Sequence, residues 1–395
     1  MHDALNGIKI LDLSRVLAGP LGTMLLADFG ADVLKIEQLE AVMIFGIGGP
    51  FTNSESTYYL SANRNKRSMT LNLKHERGRE LFLQLVQDAD VVVENFKAGT
   101  MARLGLSYDR LKEVNEDVIL CSITGYGQDG PYHTHPGYDP VIQAIGGLMD
   151  VTGETDGEAT RVGTPVVDIM TSHYVCMSVL GALRKRDQSG IGAHIDLSLL
   201  DVQVSSLANI SSSYLNEGHV SKRAGNAHGN ITPYETFPCA DKPLMVAAGN
   251  DRMYRALTEV LGRPELADDE RFLTNGDRVQ HRGELRAILV AEFKRKDADQ
   301  WAELLAEKKV PCGPVNSIEQ VFEHEQVVHR NMKISAPHPT VETYHGVRNP
   351  ILADGQVLPV RYAPPLLGEQ TSDILAETFD FNQETVDELK KEGII

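Results

Sequence analysis

An aspartate at the start of a predicted helix is the residue of this chain best suited to covalent chemistry. Asp168 follows the irregular stretch 163–165, and apolar residues recur with helical spacing from Val175 to Leu183. Unpaired N–H groups and the helix dipole at a helix N-terminus favour an ionised carboxylate, which can attack an electrophilic carbonyl. An Asp before a helix is more often only an N-cap, so a purely structural role is the alternative.

Ordered sequence blocks along nearly the whole chain carry a resemblance to a known family. The blocks read LNGIKILDLSRVLAGPLGTMLLADFGADVLKIE, SANRNKRSMTLNLK, VVVENFKAGTMARLGL, GYGQDGPYHTHPGYDP, GTPVVDIM, GAHIDLSLLD, VPCGPVNSI and PPLLGEQTSDIL. Together they resemble the family III CoA-transferases, the CaiB/BaiF family. In that family an aspartate at the position of Asp168 carries the acyl group and then CoA, and the resemblance implies the same role here.

The resemblance also implies a binding site for the nucleotide of CoA. Its residues lie in the segments SRVLAGP, TLNLK and ENFKAGTMAR, and are Arg15, Val16, Ala18, Leu73, Lys74, Asn95, Phe96 and Arg103. Lys74, Lys97 and Arg103 can contact phosphate oxygens, and Phe96 can offer a face to adenine. The segment SRVLAGP lacks GxGxxG glycines, which disfavours a dinucleotide-dependent dehydrogenase. The basic run 64–67, RNKR, is the densest positive patch, and either attracts the anionic ligand or solubilises a turn.

The predicted reaction passes through two covalent intermediates on Asp168. Its carboxylate attacks the acyl-CoA to give an aspartyl-acyl anhydride, and the released thiolate then forms an aspartyl-CoA thioester. Backbone N–H groups must stabilise each oxyanion, and the segments 228–235 and 247–251 are the candidates. Tyr138 either orients or shields the thioester, or is only a core aromatic. We expect a small carboxylic acid as the acceptor, with a dicarboxylate favoured, and succinyl-CoA as the donor.

Two other functions remain to be weighed against transfer. One is a 2-methylacyl-CoA racemase, a related activity that needs two bases flanking Cα. The racemase motif has a His where this chain has Tyr138, and a tyrosine with an ordinary pKa near 10 is a poor base at neutral pH. The other is a CoA-binding protein without turnover. The residues around Asp168 favour the transferase.

The elements that must position these residues form an alternating pattern. Strands are predicted from short apolar runs at 8–13, 32–36, 68–73, 90–94 and 117–123, with helices at 20–29, 75–88 and 109–115. This alternation is typical of βαβ units, so we predict an α/β fold with a Rossmann-like parallel sheet. A further helix is expected from Asp201 to Tyr214.

The rest of the chain suggests two domains. We expect a large domain at 1–215 that holds the CoA-binding and catalytic residues, and a polar, Gly-rich linker at 216–230. A smaller α/β domain follows at 231–330, and residues 331–395 return to the large domain. The resemblance implies that two such chains form an interlocked homodimer.

Composition limits the partners of the protein. The 395 residues include 42% hydrophobic residues, enough for two domains with real cores, and carry a formal net charge of −17. This charge disfavours nucleic-acid and anionic-membrane partners. The four cysteines are widely spaced, which predicts no metal site and a reducing compartment. We therefore expect a soluble, cytoplasmic enzyme that uses the CoA thioester as substrate and holds no permanent cofactor.

One stretch departs from the family pattern. Many members follow KIE with a GDDTR-like segment and WGPPF, whereas residues 38–51 read QLEAVMIFGIGGPF. These apolar replacements either change the polarity of the acyl pocket or represent neutral drift, and they weaken the transfer of substrate identity from any relative.

Overall fold

The computed structural model describes residues 1–39, 50–53 and 55–395, and most of the unusual 38–51 stretch lies outside them. The described chain forms two compact units. The first unit comprises Met1–Leu148, Arg161–Gly218 and His329–Ile395, and the second comprises Met149–Thr160 and His219–Val328. Residues 149–160 thus belong to the second unit, although the sequence placed them in the large domain. The boundaries of independently folding domains stay a prediction.

The strands and helices follow the predicted alternation. The strands are Lys9–Asp12 (β1), Asp32–Glu37 (β2), Phe51–Thr52 (β3), Glu55–Ser56 (β4), Lys66–Thr70 (β5), Val91–Glu94 (β6), Ile119–Thr124 (β7), His194–Ser198 (β8), Tyr234–Pro238 (β9), Pro243–Ala247 (β10), Cys312–Pro314 (β11), Lys333–His338 (β12), Glu342–Val347 (β13), Leu352–Ala353 (β14) and Gln356–Val357 (β15). The α-helices of the described residues are Ala18–Asp28 (α1), Thr57–Ala62 (α2), Glu76–Gln87 (α3), Thr100–Arg103 (α4), Tyr108–Val114 (α5), Asp139–Ile145 (α6), Val166–Ser189 (α7), Leu199–Ser206 (α8), Ala208–Glu217 (α9), Asp251–Val260 (α10), Asn275–Gln280 (α11), Arg282–Phe293 (α12), Ala298–Glu307 (α13), Ile318–Glu323 (α14), Glu325–His329 (α15), Thr371–Phe379 (α16) and Gln383–Lys391 (α17).

The first unit is built on a six-stranded parallel sheet. Its strand order is β5-β2-β1-β6-β7-β8, and every neighbouring pair is parallel. Counted along the chain this is the order 3-2-1-4-5-6 of the doubly wound fold, which reverses between β1 and β6. The predicted α/β class with a Rossmann-like sheet is confirmed.

Apolar residues cover both faces of this sheet. In β6, Val92 belongs to the core cluster on the first face, and Val91 and Val93 belong to the cluster on the second face. Successive side chains of a strand point to opposite faces, so a strand buried on both sides reads as a continuous apolar run. On the second face, α1 and α7 approach so closely that a Cβ added at Gly22 would lie 2.7 Å from the Cβ of Val175.

The second unit contains a three-stranded antiparallel sheet in the order β11-β10-β9. Its core includes Phe237 of β9, Leu244 of β10 and the aromatic pair Phe293 and Trp301 from the helices. The predicted smaller α/β part of the fold is therefore present.

Two element predictions differ from the structure. The helix expected from Asp201 to Tyr214 is divided into α8 and α9, because Ala208 has a φ of 45°, which lies outside the helical region. The third strand of the sheet ends at Thr70, earlier than the predicted residue 73.

Within the described residues, α7 is long and apolar enough to cross a bilayer. One such helix is weak evidence for a membrane span, since core helices of soluble proteins pass the same test.

Candidate functional site

Asp168 lies in the first turn of α7 but does not cap it. The helix begins at Val166, and its N-cap residue, Pro165, has no capping side chain. The cap comes instead from Asp139, whose Oδ2 accepts hydrogen bonds from the backbone N–H groups of Val167 at 2.8 Å and Asp168 at 3.3 Å. The structural alternative, in which Asp168 is the N-cap, is therefore wrong. Its carboxylate is left for another role.

Asp139 is itself held rigidly. Gln143, one turn later in α6, donates from Nε2 to Asp139 Oδ1 at 2.6 Å and accepts from the backbone N–H of Val162 at 2.8 Å. Asp139 and Gln143 are both buried. This chain of hydrogen bonds fixes α6 and the segment before α7 around the Asp168 backbone.

The environment of Asp168 opposes its ionisation. Burial, and then the negative charge of Asp139, raise the pKa of Asp168 to about 7. The expectation that the helix start would favour the ionised form is wrong, because burial and the Asp139 charge outweigh any stabilisation by the helix start. A carboxylate of near-neutral pKa is more basic than an ordinary one, yet a large fraction is deprotonated at pH 7. Asp168 is thus suited to act as a nucleophile.

Tyr58 of α2 belongs to the same site. Burial raises the pKa of its hydroxyl, and the negative charges of Asp168 and Asp139 raise it further. Sequence reasoning missed Tyr58, Asp139 and Gln143. The pair Asp139-Pro140 is a recognisable helix start, but its contact with another helix is tertiary and leaves no local signal.

The predicted nucleotide-binding turn lies where the strand order reverses. Arg15 and Val16 follow β1, Asn95 and Phe96 follow β6, and these strands are neighbours. The Asn95 side chain accepts from the Arg15 N–H at 2.8 Å and donates to the Arg15 carbonyl at 2.7 Å. The Arg15 guanidinium lies 5.5 Å from the centre of the Phe96 ring. In open α/β sheets, ligands bind in the crevice at this reversal, beyond the carboxyl ends of the strands.

Tyr138 lies close enough to this turn to affect Arg15 electrostatically. Burial lowers the pKa of Arg15, and interactions with Tyr138 and Glu94 oppose that shift, which places the three side chains in one electrostatic environment. Tyr138 also immediately precedes Asp139, the residue that caps α7. Its side chain is 60% exposed, so Tyr138 is not a core aromatic of this chain.

The other predicted contacts are distributed around the same edge of the sheet. Ala18 is the first residue of α1 and is buried. Leu73 follows β5 and packs, like Phe96, against the core cluster on the first face. The side chains of Lys74, Lys97 and Arg103 are exposed, and Arg103 donates to Thr100 Oγ1 at 2.8 Å. Contact between these residues and the phosphates of CoA stays a prediction.

Comparison with known proteins identifies the family of this chain. The model of the family described as CoA-transferase family III matches residues 5–371. The succinate–glutarate CoA-transferase of Agrobacterium fabrum is 42% identical over 94% of this chain and 95% of that protein. The human succinyl-CoA:glutarate CoA-transferase is 39% identical over 99% of this chain and 90% of that protein.

Solved structures show the same relationship. A CaiB/BaiF family protein from Brucella suis has 41% sequence identity and a TM-score of 0.87, and the match covers 96% of this chain and all of that chain. The family resemblance and the enzyme class predicted from the sequence are confirmed. The chain belongs to CoA-transferase family III.

Proposed function

We propose that the enzyme moves CoA from succinyl-CoA to a small dicarboxylate through covalent intermediates on Asp168. The observation that carries the mechanism is the carboxyl group of Asp168, which has a near-neutral pKa and does not cap its helix. The names of the relatives, which pair succinate or succinyl-CoA with glutarate, support the substrate class.

Each step exchanges one bond at a carbonyl carbon. The Asp168 carboxylate attacks the thioester carbon, the C–S bond breaks, and the anhydride and CoA thiolate form. The thiolate then attacks the Asp168 carbonyl carbon, and the anhydride C–O bond breaks to release the donor acid. The acceptor carboxylate repeats these steps in reverse, so no proton or redox partner is consumed. Asp168 must be deprotonated before the first attack.

The segments 228–235 and 247–251 stay the two predicted sources of the oxyanion donors, and side-chain hydrogen bonds order the backbone of each. Arg282 Nη2 donates to the carbonyl of His228 at 2.8 Å, and Asn275 Nδ2 donates to that of Asn230 at 2.8 Å, so side chains hold the carbonyls and fix the loop backbone. In the segment 247–251, the Asn250 side chain caps α10 by accepting from the Met253 N–H at 3.0 Å. Preorganised backbone donors are worth about 3 kcal/mol each in acyl transfer.

A panel of acceptor acids tests the substrate class. The enzyme is incubated with succinyl-CoA and dicarboxylates, each paired with the monocarboxylate of equal carbon number, and the new thioesters are quantified by mass spectrometry. A dicarboxylate should exceed its partner by at least about tenfold in kcat/KM, equivalent to one charge-assisted hydrogen bond to the second carboxylate. Equal rates for both members of every pair would contradict a dicarboxylate site.

Tyr138 separates the transferase from the racemase alternative. Tyr138→Phe should slow transfer only about tenfold, or about 1.4 kcal/mol, because the nucleophile and oxyanion donors remain. Wild type and variant are also incubated with a 2-methylacyl-CoA in D2O. The anhydride route never breaks the Cα–H bond, so neither protein should incorporate deuterium. Rapid, Tyr138-dependent incorporation would instead establish a racemase.

We also propose that the enzyme is an interlocked homodimer in the cytoplasm. Large apolar side chains of the first unit are exposed on α6, α7 and α9, namely Val141, Ile145, Met177, Tyr214 and Leu215. No residue of α9 is buried in the single chain, and Leu215 is 78% exposed. An exposed apolar surface of this kind is characteristic of a protein interface. Four free cysteines agree with a reducing compartment.

The dimer should persist on dilution, because chains that interlock cannot separate without unfolding. Light scattering at micromolar and at nanomolar concentration should give the mass of two chains. A monomer at micromolar concentration would rule out the proposed assembly.

A further inference from the structure

A cluster of buried charges lies beneath the turn between β1 and α1. Its members are Asp12 at the end of β1, Lys35 of β2 and Lys66 of β5, each at most 4% exposed. The Lys66 ammonium donates to Asp12 Oδ2 at 2.9 Å, to the Pro20 carbonyl at 2.8 Å and to Asn63 Oδ1 at 2.8 Å. The ammonium of Lys66 therefore has all three of its hydrogens paired.

The cluster holds the turn through Ser14. Asp12 Oδ1 accepts hydrogen bonds from the Ser14 N–H, at 2.9 Å, and from the Ser14 hydroxyl. The Lys35 ammonium donates to the Ser14 carbonyl at 2.8 Å and lies 3.9 Å from Asp12 Oδ2. Every polar group of Ser14 is thus bound by Asp12 or Lys35. Gly19 permits this arrangement, because a Cβ there would collide with the Ser14 side chain.

The backbone beyond Ser14 needs such support. Val16 has a φ of 67°, in the left-handed region that a β-branched residue rarely adopts. Residues in this region persist only where their surroundings impose the conformation, and they concentrate at functional sites. The Val16 side chain is 41% exposed at the crevice, so core packing does not account for its conformation. Hydrogen bonds hold the backbone just before Val16, from Asn95 to Arg15 and from the buried cluster to Ser14.

The cluster also has an unusual composition for a purely structural feature. Replacing buried ion pairs by well-packed apolar residues is often neutral or stabilising, so three buried charges under a surface turn are weak evidence for a stability role. A role in fixing one conformation of the turn accounts for their presence. The predicted ligands Arg15, Val16 and Ala18 all lie within four residues of Ser14.

We propose that Lys35, acting through Ser14 and Asp12, is a positioning residue that shapes the 14–16 turn to receive CoA. This inference rests on the proposed function in one respect, since it assumes that CoA binds at this turn. The donor and product thioesters contain the same CoA, so loss of Lys35 should weaken the binding of both. The binding of the carboxylate acceptor should not change.

The experiment compares wild type, Lys35→Met and Ser14→Ala. For each protein, calorimetry measures the binding of free CoA, and kinetics give the KM for the acyl-CoA and the KM for the acceptor acid. Lys35→Met keeps an unbranched side chain of similar length, and Ser14→Ala removes only the hydroxyl. Thr258→Val is the matched control. It removes a buried hydroxyl group in the second unit, which donates a hydrogen bond of 2.8 Å to the Arg255 carbonyl. Thermal unfolding is recorded for all four proteins.

Lys35→Met should weaken CoA binding and raise the KM for the acyl-CoA about tenfold, with the acceptor KM unchanged, and Ser14→Ala should give a smaller change in the same direction. Thr258→Val should lower the unfolding temperature without altering either KM. Unchanged CoA binding in Lys35→Met would overturn the proposal, and Ser14→Ala decides it if the Lys35 variant does not fold. CoA binding without transfer in wild type would contradict the proposed function and leave this test intact.

Discussion

Asp168→Ala should abolish CoA transfer, by at least about 10⁴-fold, because the covalent route has no other nucleophile. The fold should remain intact. Burial and Asp139 raise the pKa of Asp168 to about 7, above its ordinary value, so the folded state binds a proton that the unfolded chain has released. The stability that this proton contributes is fully present below the ordinary pKa of 3.8, is lost progressively as pH rises from there to about 7, and is absent at pH 8. At pH 8 the variant should therefore unfold at the same temperature as wild type or higher.

The intermediate itself can be trapped. Wild type is incubated with acyl-CoA and then with borohydride, which reduces an activated aspartyl group to the alcohol, and peptide mapping should locate the change at Asp168. Asp187→Ala is the control, since Asp187 is exposed near the other end of the same helix and should retain full activity. Transfer that survives in Asp168→Ala, or a reduced residue elsewhere, would refute the proposed route.

The fold of the first unit was largely predictable because its strands are buried on both faces. A run such as Val91-Val92-Val93 contributes to two cores, and burial on both faces leaves a continuous apolar signal in the sequence. The order of the strands depends on contacts between distant segments, which no local pattern records. Helical periodicity placed Asp168 at a helix start, whereas the positions of the other predicted site residues came from the family resemblance.

The basic run 64–67 shows where a composition argument is wrong. Its composition predicts a patch that attracts an anion or solubilises a turn, but Arg64 and Lys66 are buried. Arg64 pairs with Asp28 at 2.6 Å, and Lys66 pairs with Asp12 at 2.9 Å. The acidic partners lie more than thirty residues earlier in the chain, so a local count of charge shows an excess that the folded protein neutralises.

The pairing of Asp139 with α7 was likewise invisible in the sequence, and it has measurable consequences for stability and for pH dependence. Asp139→Ala should lower the free energy of unfolding by about 2 kcal/mol, because the N–H groups of Val167 and Asp168 and the Gln143 amide lose a charged acceptor. Asp139→Asn should cost less, because its amide oxygen can still accept the two backbone bonds. Denaturant unfolding of both variants gives the comparison.

The same two variants separate charge from hydrogen bonding in the activity of Asp168. In wild type, kcat/KM should rise with pH and reach half its maximum near pH 7, as Asp168 loses its proton. Removing the neighbouring charge in Asp139→Asn should move this midpoint to lower pH, by up to about one unit, while burial keeps it above the range of an ordinary carboxyl. Since the capping bonds persist in that variant, a shifted midpoint with near-normal stability would attribute the effect to charge. An unchanged midpoint in Asp139→Asn would show that Asp139 acts on Asp168 only by holding the helix start.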